Sequence, residues 1–131
     1  MQDPIKILGV PVHAMTMQEA VKTLEERMLA KEQTFVVTAN AEIIMMCQEN
    51  AEYKKIICED AELVLPDGAG AVWAGRHLGY KVPERVAGFD LYNECWIYRR
   101  TRAIRRTFSA AVRELPKLRR QRPRSFIRAY R

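Results

Sequence analysis

The sequence is short of the residues on which several kinds of chemistry depend. Its 131 residues include three cysteines, Cys47, Cys58 and Cys95, and two histidines, His13 and His77. An odd cysteine count without Cys-x-x-Cys spacing argues against a disulfide framework and a zinc site. It points instead to reduced thiols in a cytosolic protein. The histidines are far apart and belong to no ligand motif, so both are read as structural. The six glycines form no Gly-x-Gly-x-x-Gly and no Walker loop, and there is no Gly-x-Ser-x-Gly. These absences remove the common dinucleotide, nucleotide and hydrolase signatures. No apolar run is long enough to cross a bilayer. The stretch from Met1 to Lys6 lacks the basic start and long apolar segment of a signal peptide. Neither a metal nor a cofactor is expected from this inventory.

Acidic residues are scarce in one place only. Residues 96–131 hold 13 Lys/Arg and a single acid, Glu114, whereas residues 1–95 hold nine Lys/Arg and 15 Asp/Glu. The overall charge of +6 therefore joins a body of −6 to a tail of +12. Such a tail calls for a polyanionic partner, either a membrane surface or a nucleic acid. The length fits one small domain. Charge divides it into a body, residues 1–95, and a basic appendage, residues 96–131.

What is present reads as alternating strands and helices. Ile5-Lys6-Ile7-Leu8-Gly9-Val10 and Pro11-Val12 predict a strand, a turn and a short return strand. Thr16-Met17-Gln18-Glu19 fits a capping box opening a helix to about Ala30, with Ala20, Val21, Leu24 and Met28 on one face. Thr34–Val37 is β-branched and aromatic, and predicts a central strand ending in Thr38-Ala39-Asn40. A helix follows from Ala41 to Gln48, and Asn50 can cap another from Ala51 to Cys58. Leu63–Leu65 predicts a buried strand closed by Pro66-Asp67-Gly68. Ala69–Leu78 is helical in pattern, with Gly70, Ala71, Ala74 and Gly75 small enough for close packing, and Gly79 stops it. Pro83–Gly88 is a loop, after which Asp90 can cap a helix beginning at Leu91. The alternation predicts an α/β fold with a mainly parallel sheet flanked by helices.

In the appendage, Ile97, Thr101, Ile104, Phe108, Ala111, Val112 and Leu115 recur at helical spacing among arginines, and Pro116 ends the pattern. Three readings follow. The segment lies on an anionic bilayer through Arg99, Arg102, Arg105, Arg106 and Phe108, or its apolar stripe packs on the body, or it binds nucleic acid. Each Lys or Arg near an anionic surface contributes about 1 kcal/mol, and a basic amphipathic helix with aromatic anchors suits that surface. Nucleic acid is the least favoured of the three.

Asp67 is the candidate with chemical promise, because ligands of open α/β sheets bind beyond the carboxyl ends of the strands. It is either the N-cap of the following helix or an acid/base group. Thr38 and Asn40 end the other strand and would converge with it on neighbouring strands, unless each is only a helix cap. Arg85, in the next loop, suits a phosphate or pairs with Glu84 or Asp90. Asp60-Ala61-Glu62 is loosely like a sugar-nucleotide metal clamp. It precedes its strand, at the wrong end, and reads as a solvated turn.

Three of these segments, in this order, resemble the motifs of the WecG/TagA/CpsF glycosyltransferases: Thr38-Ala39-Asn40-Ala41-Glu42, Leu65-Pro66-Asp67-Gly68 and Glu84-Arg85-Val86-Ala87-Gly88-Phe89-Asp90-Leu91. Ile7–Val12 and Thr16–Val21 are similar to that family's start, and the resemblance covers residues 5–94. It implies a Rossmann-like peripheral protein on the cytoplasmic face of the bacterial membrane. It also implies inverting transfer of N-acetylmannosamine, or a related sugar, from UDP to N-acetylglucosamine on undecaprenyl diphosphate, in synthesis of a polymer such as wall teichoic acid. On this resemblance Asp67 is the catalytic base, and Thr38, Asn40 and Arg85 line the substrate pocket. The implied partners are the UDP-sugar, the lipid-linked acceptor, an anionic membrane and a second copy of the chain. Family members are longer. Past Arg-Val-Ala-Gly they continue with elements that supply much of the nucleotide site. Here Trp96-Ile97-Tyr98-Arg99-Arg100 resembles the family's basic C-terminal appendage, joined early. The expectation is a shortened chain, either active or reduced to a membrane-docking module.

Overall fold

The computed structural model describes residues 3–102. Strands β1 (Ile5–Ile7) and β2 (Val10–Val12) form an antiparallel hairpin. Helix α1 (Met17–Leu29) leads to β3 (Val36–Ala39), then α2 (Ala41–Glu49) and α3 (Ala51–Lys55). A π-helical turn over Ile56–Asp60 precedes β4 (Leu63–Pro66), α4 (Ala69–His77) and α5 (Gly88–Arg102). The fold is α/β. Among the described residues the parallel sheet is the single pair β3–β4, in the register Thr38↔Leu65 and Ala39↔Pro66.

Local chemistry sets most boundaries. The Thr16 hydroxyl accepts the Glu19 N–H, and the Glu19 carboxylate accepts the Thr16 N–H, so the capping box opens α1. Asn40 caps α2 through the Ile43 N–H, and Asn50 caps α3 through the Tyr53 N–H. Gly79, at φ +85°, closes α4, with the Gly79 N–H on the Arg76 carbonyl and the Tyr80 N–H on the Gly75 carbonyl. This pairing satisfies carbonyls that the helix end would otherwise leave open.

The parallel pair is buried on both faces, which is why β4 is apolar at every position. On one face Val37, Ala39 and Val64 meet the hairpin residues Ile7, Val10 and Val12 and the helical residues Ile44, Cys47, Tyr53 and Ile57. On the other, Leu63 and Leu65 meet Ala20 and Leu24 of α1 and Leu91 and Cys95 of α5. Each fully buried leucine is worth about 2 kcal/mol.

Among the described residues no strand lies beside the outer edge of β4, yet its polar groups are engaged. The His13 N–H reaches the Val64 carbonyl at 2.7 Å, and His13 Nδ1 accepts the Val64 N–H at 3.0 Å. Pro66 has no N–H to offer, and its carbonyl accepts the Val86 N–H at 2.8 Å.

Two expectations change. Helix α5 begins at Gly88, not Leu91. The Ala87 carbonyl accepts the Leu91 N–H, and Asp90 sits in the first turn, where it pairs with Arg85. The helix expected to Cys58 leaves α geometry after Lys55 for the wider π turn, in which Ile56 and Ile57 are both buried.

Candidate active site

Three helices begin where the parallel pair ends. The Asp67 N–H donates to the Ala39 carbonyl at 3.0 Å, one step past the last pair of the register. This places the Asp67 turn beside Thr38, Ala39 and Asn40. Gly68 follows at φ +89° and ψ 157°, a conformation that favours glycine. A Cβ there would lie 3.9 Å from the Asn40 Cβ, and one at Gly70 would lie 3.1 Å from the Ala41 Cβ. The starts of α2 and α4 are thus adjacent.

The start of α5 joins them. The Gly88 N–H donates to Asp67 Oδ2 at 3.3 Å. A Cβ on Gly88 would approach Thr38 Oγ1 to 2.8 Å, so the threonine rests on bare backbone. Asp67 therefore is not the side-chain cap of α4, whose N-cap Gly68 has no side-chain bond. Its carboxylate reaches across to the first N–H of a different helix. Converging helix N-termini offer unpaired N–H groups and partial positive charge, the features that favour anionic ligands.

The loop that delivers Gly88 is held at several points. Arg76 donates from Nε to the Val82 carbonyl at 3.0 Å and from Nη2 to the Pro83 carbonyl at 3.1 Å. Glu84 Oε1 accepts the Met17 N–H at the start of α1. Val86 is bonded to Pro66 as described above.

The structure thus gathers Thr38, Asn40 and Asp67 around Gly68 and Gly88. Asn40 accepts the Ile43 N–H on Oδ1 at 2.8 Å, and its amide nitrogen adds two donors to the group. Arg85 is not tied to this group. It is exposed, and its guanidinium lies 3.8 Å from the Asp90 carboxylate, both side chains being more than half accessible. An exposed pair of this kind is weak, so the arginine can exchange Asp90 for another anion. Helix α5 carries the backbone through Arg99 and Arg102, while Arg105, Arg106 and Phe108 lie outside the described residues. Among the described residues no group of three His, Cys, Asp or Glu is placed to hold a metal ion. None of their helices is long and apolar enough to cross a membrane.

Gly88 and Glu84 were not singled out from sequence for these roles. The sequence signal for Gly88 was a glycine directly before a helical pattern. Nothing local marks Glu84, whose partner is 67 residues away.

A sequence model of the glycosyl transferase WecG/TagA/CpsF family matches residues 5–125. The chain belongs to this family. A relative from Bacillus spizizenii is 38% identical over 58 residues, which is 44% of this chain and 22% of the relative. One from Staphylococcus aureus strain NCTC 8325 is 32% identical over 94 residues, 70% of this chain and 36% of the relative. Both are named N-acetylglucosaminyldiphosphoundecaprenol N-acetyl-beta-D-mannosaminyltransferase. The chain spans about a third or less of the length of these glycosyltransferases. The family match includes the whole Asp67 turn and the loop that reaches it, and it continues past residue 94 into the basic segment.

Proposed function

We propose that this chain serves the inverting transfer of N-acetylmannosamine, or a closely related sugar, from a UDP carrier to N-acetylglucosamine on undecaprenyl diphosphate. The setting is the cytoplasmic face of a bacterial membrane, in synthesis of a cell-surface polymer such as wall teichoic acid. On this reading the α/β body is a Rossmann-like core, and the basic segment holds it on the bilayer. The supporting observation is the meeting of Asp67, Thr38 and the start of α5 at the carboxyl end of the parallel pair. It occurs in a member of a family whose similar members bear that transferase name.

The reaction gives each group a task. The acceptor hydroxyl oxygen forms a bond to the anomeric carbon from the face opposite UDP. The carbon–oxygen bond to UDP breaks, and its electron pair leaves with the diphosphate. Asp67 takes the hydroxyl proton as the attack proceeds, the work of a positioned general base. The Gly88 N–H holds one carboxylate oxygen at 3.3 Å and so fixes the group's direction. Thr38 and the Asn40 amide supply hydrogen bonds to sugar hydroxyls. The leaving diphosphate needs cations and N–H donors, which Arg85 and the N-termini of α4 and α5 can offer.

Asp67→Asn tests the assignment, since an amide oxygen can still accept from Gly88 and preserve the turn. With UDP-N-acetylmannosamine and a lipid-linked N-acetylglucosamine acceptor, UDP release by the variant should fall about 10²–10⁴-fold, with an unchanged far-ultraviolet spectrum. A near-native rate in the variant ends the role of Asp67 as base. Failure of the unaltered chain to bind UDP at millimolar concentration leaves a membrane-docking module in place of a transferase.

A further inference from the structure

We propose that Arg76 is a positioning residue for the diphosphate end of the site, its guanidinium fork fixing the loop that carries Arg85 and Gly88. This rests on the reading of Arg85 as a ligand of the leaving diphosphate, and adds the residue that sets where Arg85 stands. Residues 80–87 form neither helix nor strand, so their place depends on bonds to other segments. Arg76 gives Nε to the Val82 carbonyl at 3.0 Å and Nη2 to the Pro83 carbonyl at 3.1 Å. One planar group that takes two successive carbonyls fixes the direction of the backbone as well as its position. Proline stiffens the same point, since its ring locks the Pro83 φ and confines Val82 to extended conformations. Beside the fork, the Val82 side chain rests on the bare backbone of Gly75, where a Cβ would come within 2.6 Å of Val82 Cγ2.

From the fork the loop returns directly to the Asp67 turn. The Val86 N–H meets the Pro66 carbonyl at 2.8 Å, and the Gly88 N–H meets Asp67 Oδ2 at 3.3 Å. Arg85 stands just before the Val86 bond, and its side chain makes an exposed pair with Asp90 at 3.8 Å. Its backbone therefore takes its position from the bonds on either side. Before it are the Arg76 fork and the Glu84 carboxylate on the Met17 N–H, and after it is Val86. Helix α4 does not need Arg76 to close its own end. The Ala74, Gly75 and Arg76 carbonyls already accept the Leu78, Tyr80 and Gly79 N–H groups. A cation serving only the helix dipole has no need to reach two carbonyls of another segment.

Arg76→Lys separates the fork from the charge, because lysine keeps a cation at the end of α4 and lacks the planar pair of donors. Amide hydrogen exchange of the full chain is followed by nuclear magnetic resonance. In the variant Val86 and Gly88 should exchange about tenfold faster, while Val64 in the sheet and Gly79 at the helix end keep their rates. Unchanged rates at Val86 and Gly88 overturn the proposal. Equal acceleration at Val64, or loss of the fold, makes Arg76 a residue of the whole structure and also overturns it. A second measurement titrates UDP against the unaltered chain, Arg76→Lys, Arg85→Gln and the double variant. Arg76→Lys should weaken binding by about threefold to tenfold, and the double variant should bind within about twofold of Arg85→Gln alone, since residues that act as one unit are not additive. Losses that multiply instead show that Arg76 does not act through Arg85, which overturns the positioning role. If the unaltered chain binds no UDP, the transferase reading fails, and the exchange rates alone decide whether Arg76 holds the loop.

Discussion

His13 accepts the Val64 N–H through Nδ1 at 3.0 Å, while Nδ1 also lies 3.3 Å from the Val64 carbonyl. The shorter contact, to a donor, makes Nδ1 the acceptor and fixes the neutral ring with its proton on Nε2. Burial is the main cause that pushes the His13 pKa below its ordinary value of 6.5, and the Arg27 charge adds to it. The folded state then binds fewer protons than the unfolded chain once pH falls below about 6.5, and stability declines with pH in that window. Urea midpoints measured between pH 7.5 and 5 should show this decline, and His13→Phe should flatten the histidine part of it. The variant should also lose about 1–3 kcal/mol at pH 7.5, because the Val64 N–H is left without a partner. Two of the three cysteines are equally governed by surroundings. Cys47 and Cys95 are free and buried, and burial pushes both thiols up to about 11, whereas Cys58 is free and exposed.

Among the elements, α4 shows how small residues set a packing distance. A Cβ on Gly75 would lie 2.6 Å from Val82 Cγ2 and 3.3 Å from Ile5 Cδ1. The helix touches the hairpin and the returning loop at once, and no ordinary side chain fits between. Gly75→Ala should destabilise the protein by about 1–3 kcal/mol despite the better helix propensity of alanine. A drop in the urea midpoint with an unchanged slope would verify it. Elements closed by their own neighbours are those the sequence reveals. The Thr16–Glu19 box, the Asn40 and Asn50 caps and the Gly79 stop each involve residues three to five apart. The start of α5 was misplaced because its first N–H is satisfied by Asp67, 21 positions earlier. The same distance hides the Gly88 partner of the Asp67 carboxylate, since Leu65-Pro66-Asp67-Gly68 alone shows no second helix. The meeting of Thr38, Asn40 and Asp67 was legible because polar residues end two apolar runs. The Arg85–Asp90 pair was legible only as one alternative among several.

At the scale of the molecule, the two edges of the parallel pair differ. The Val64 N–H is held by His13 at 3.0 Å. On β3, the bonds at the Phe35 and Ala39 carbonyls show that odd positions face β4, so Val36 and Thr38 direct their backbone groups to the other side. Amide hydrogen exchange should therefore be slow at Val64 and at least about tenfold faster at Val36 and Thr38, since exchange follows local hydrogen bonding.

A sheet whose β4 edge is occupied by a histidine ring, a proline and the Val86 amide can lengthen in one direction only. Among the described residues the open berth is alongside β3. A further strand that joined this sheet there would turn β3 from a boundary into its centre. If it ran parallel, its carboxyl end would emerge beside Thr38. The Asp67 turn would then lie between two halves of a cleft instead of at its rim.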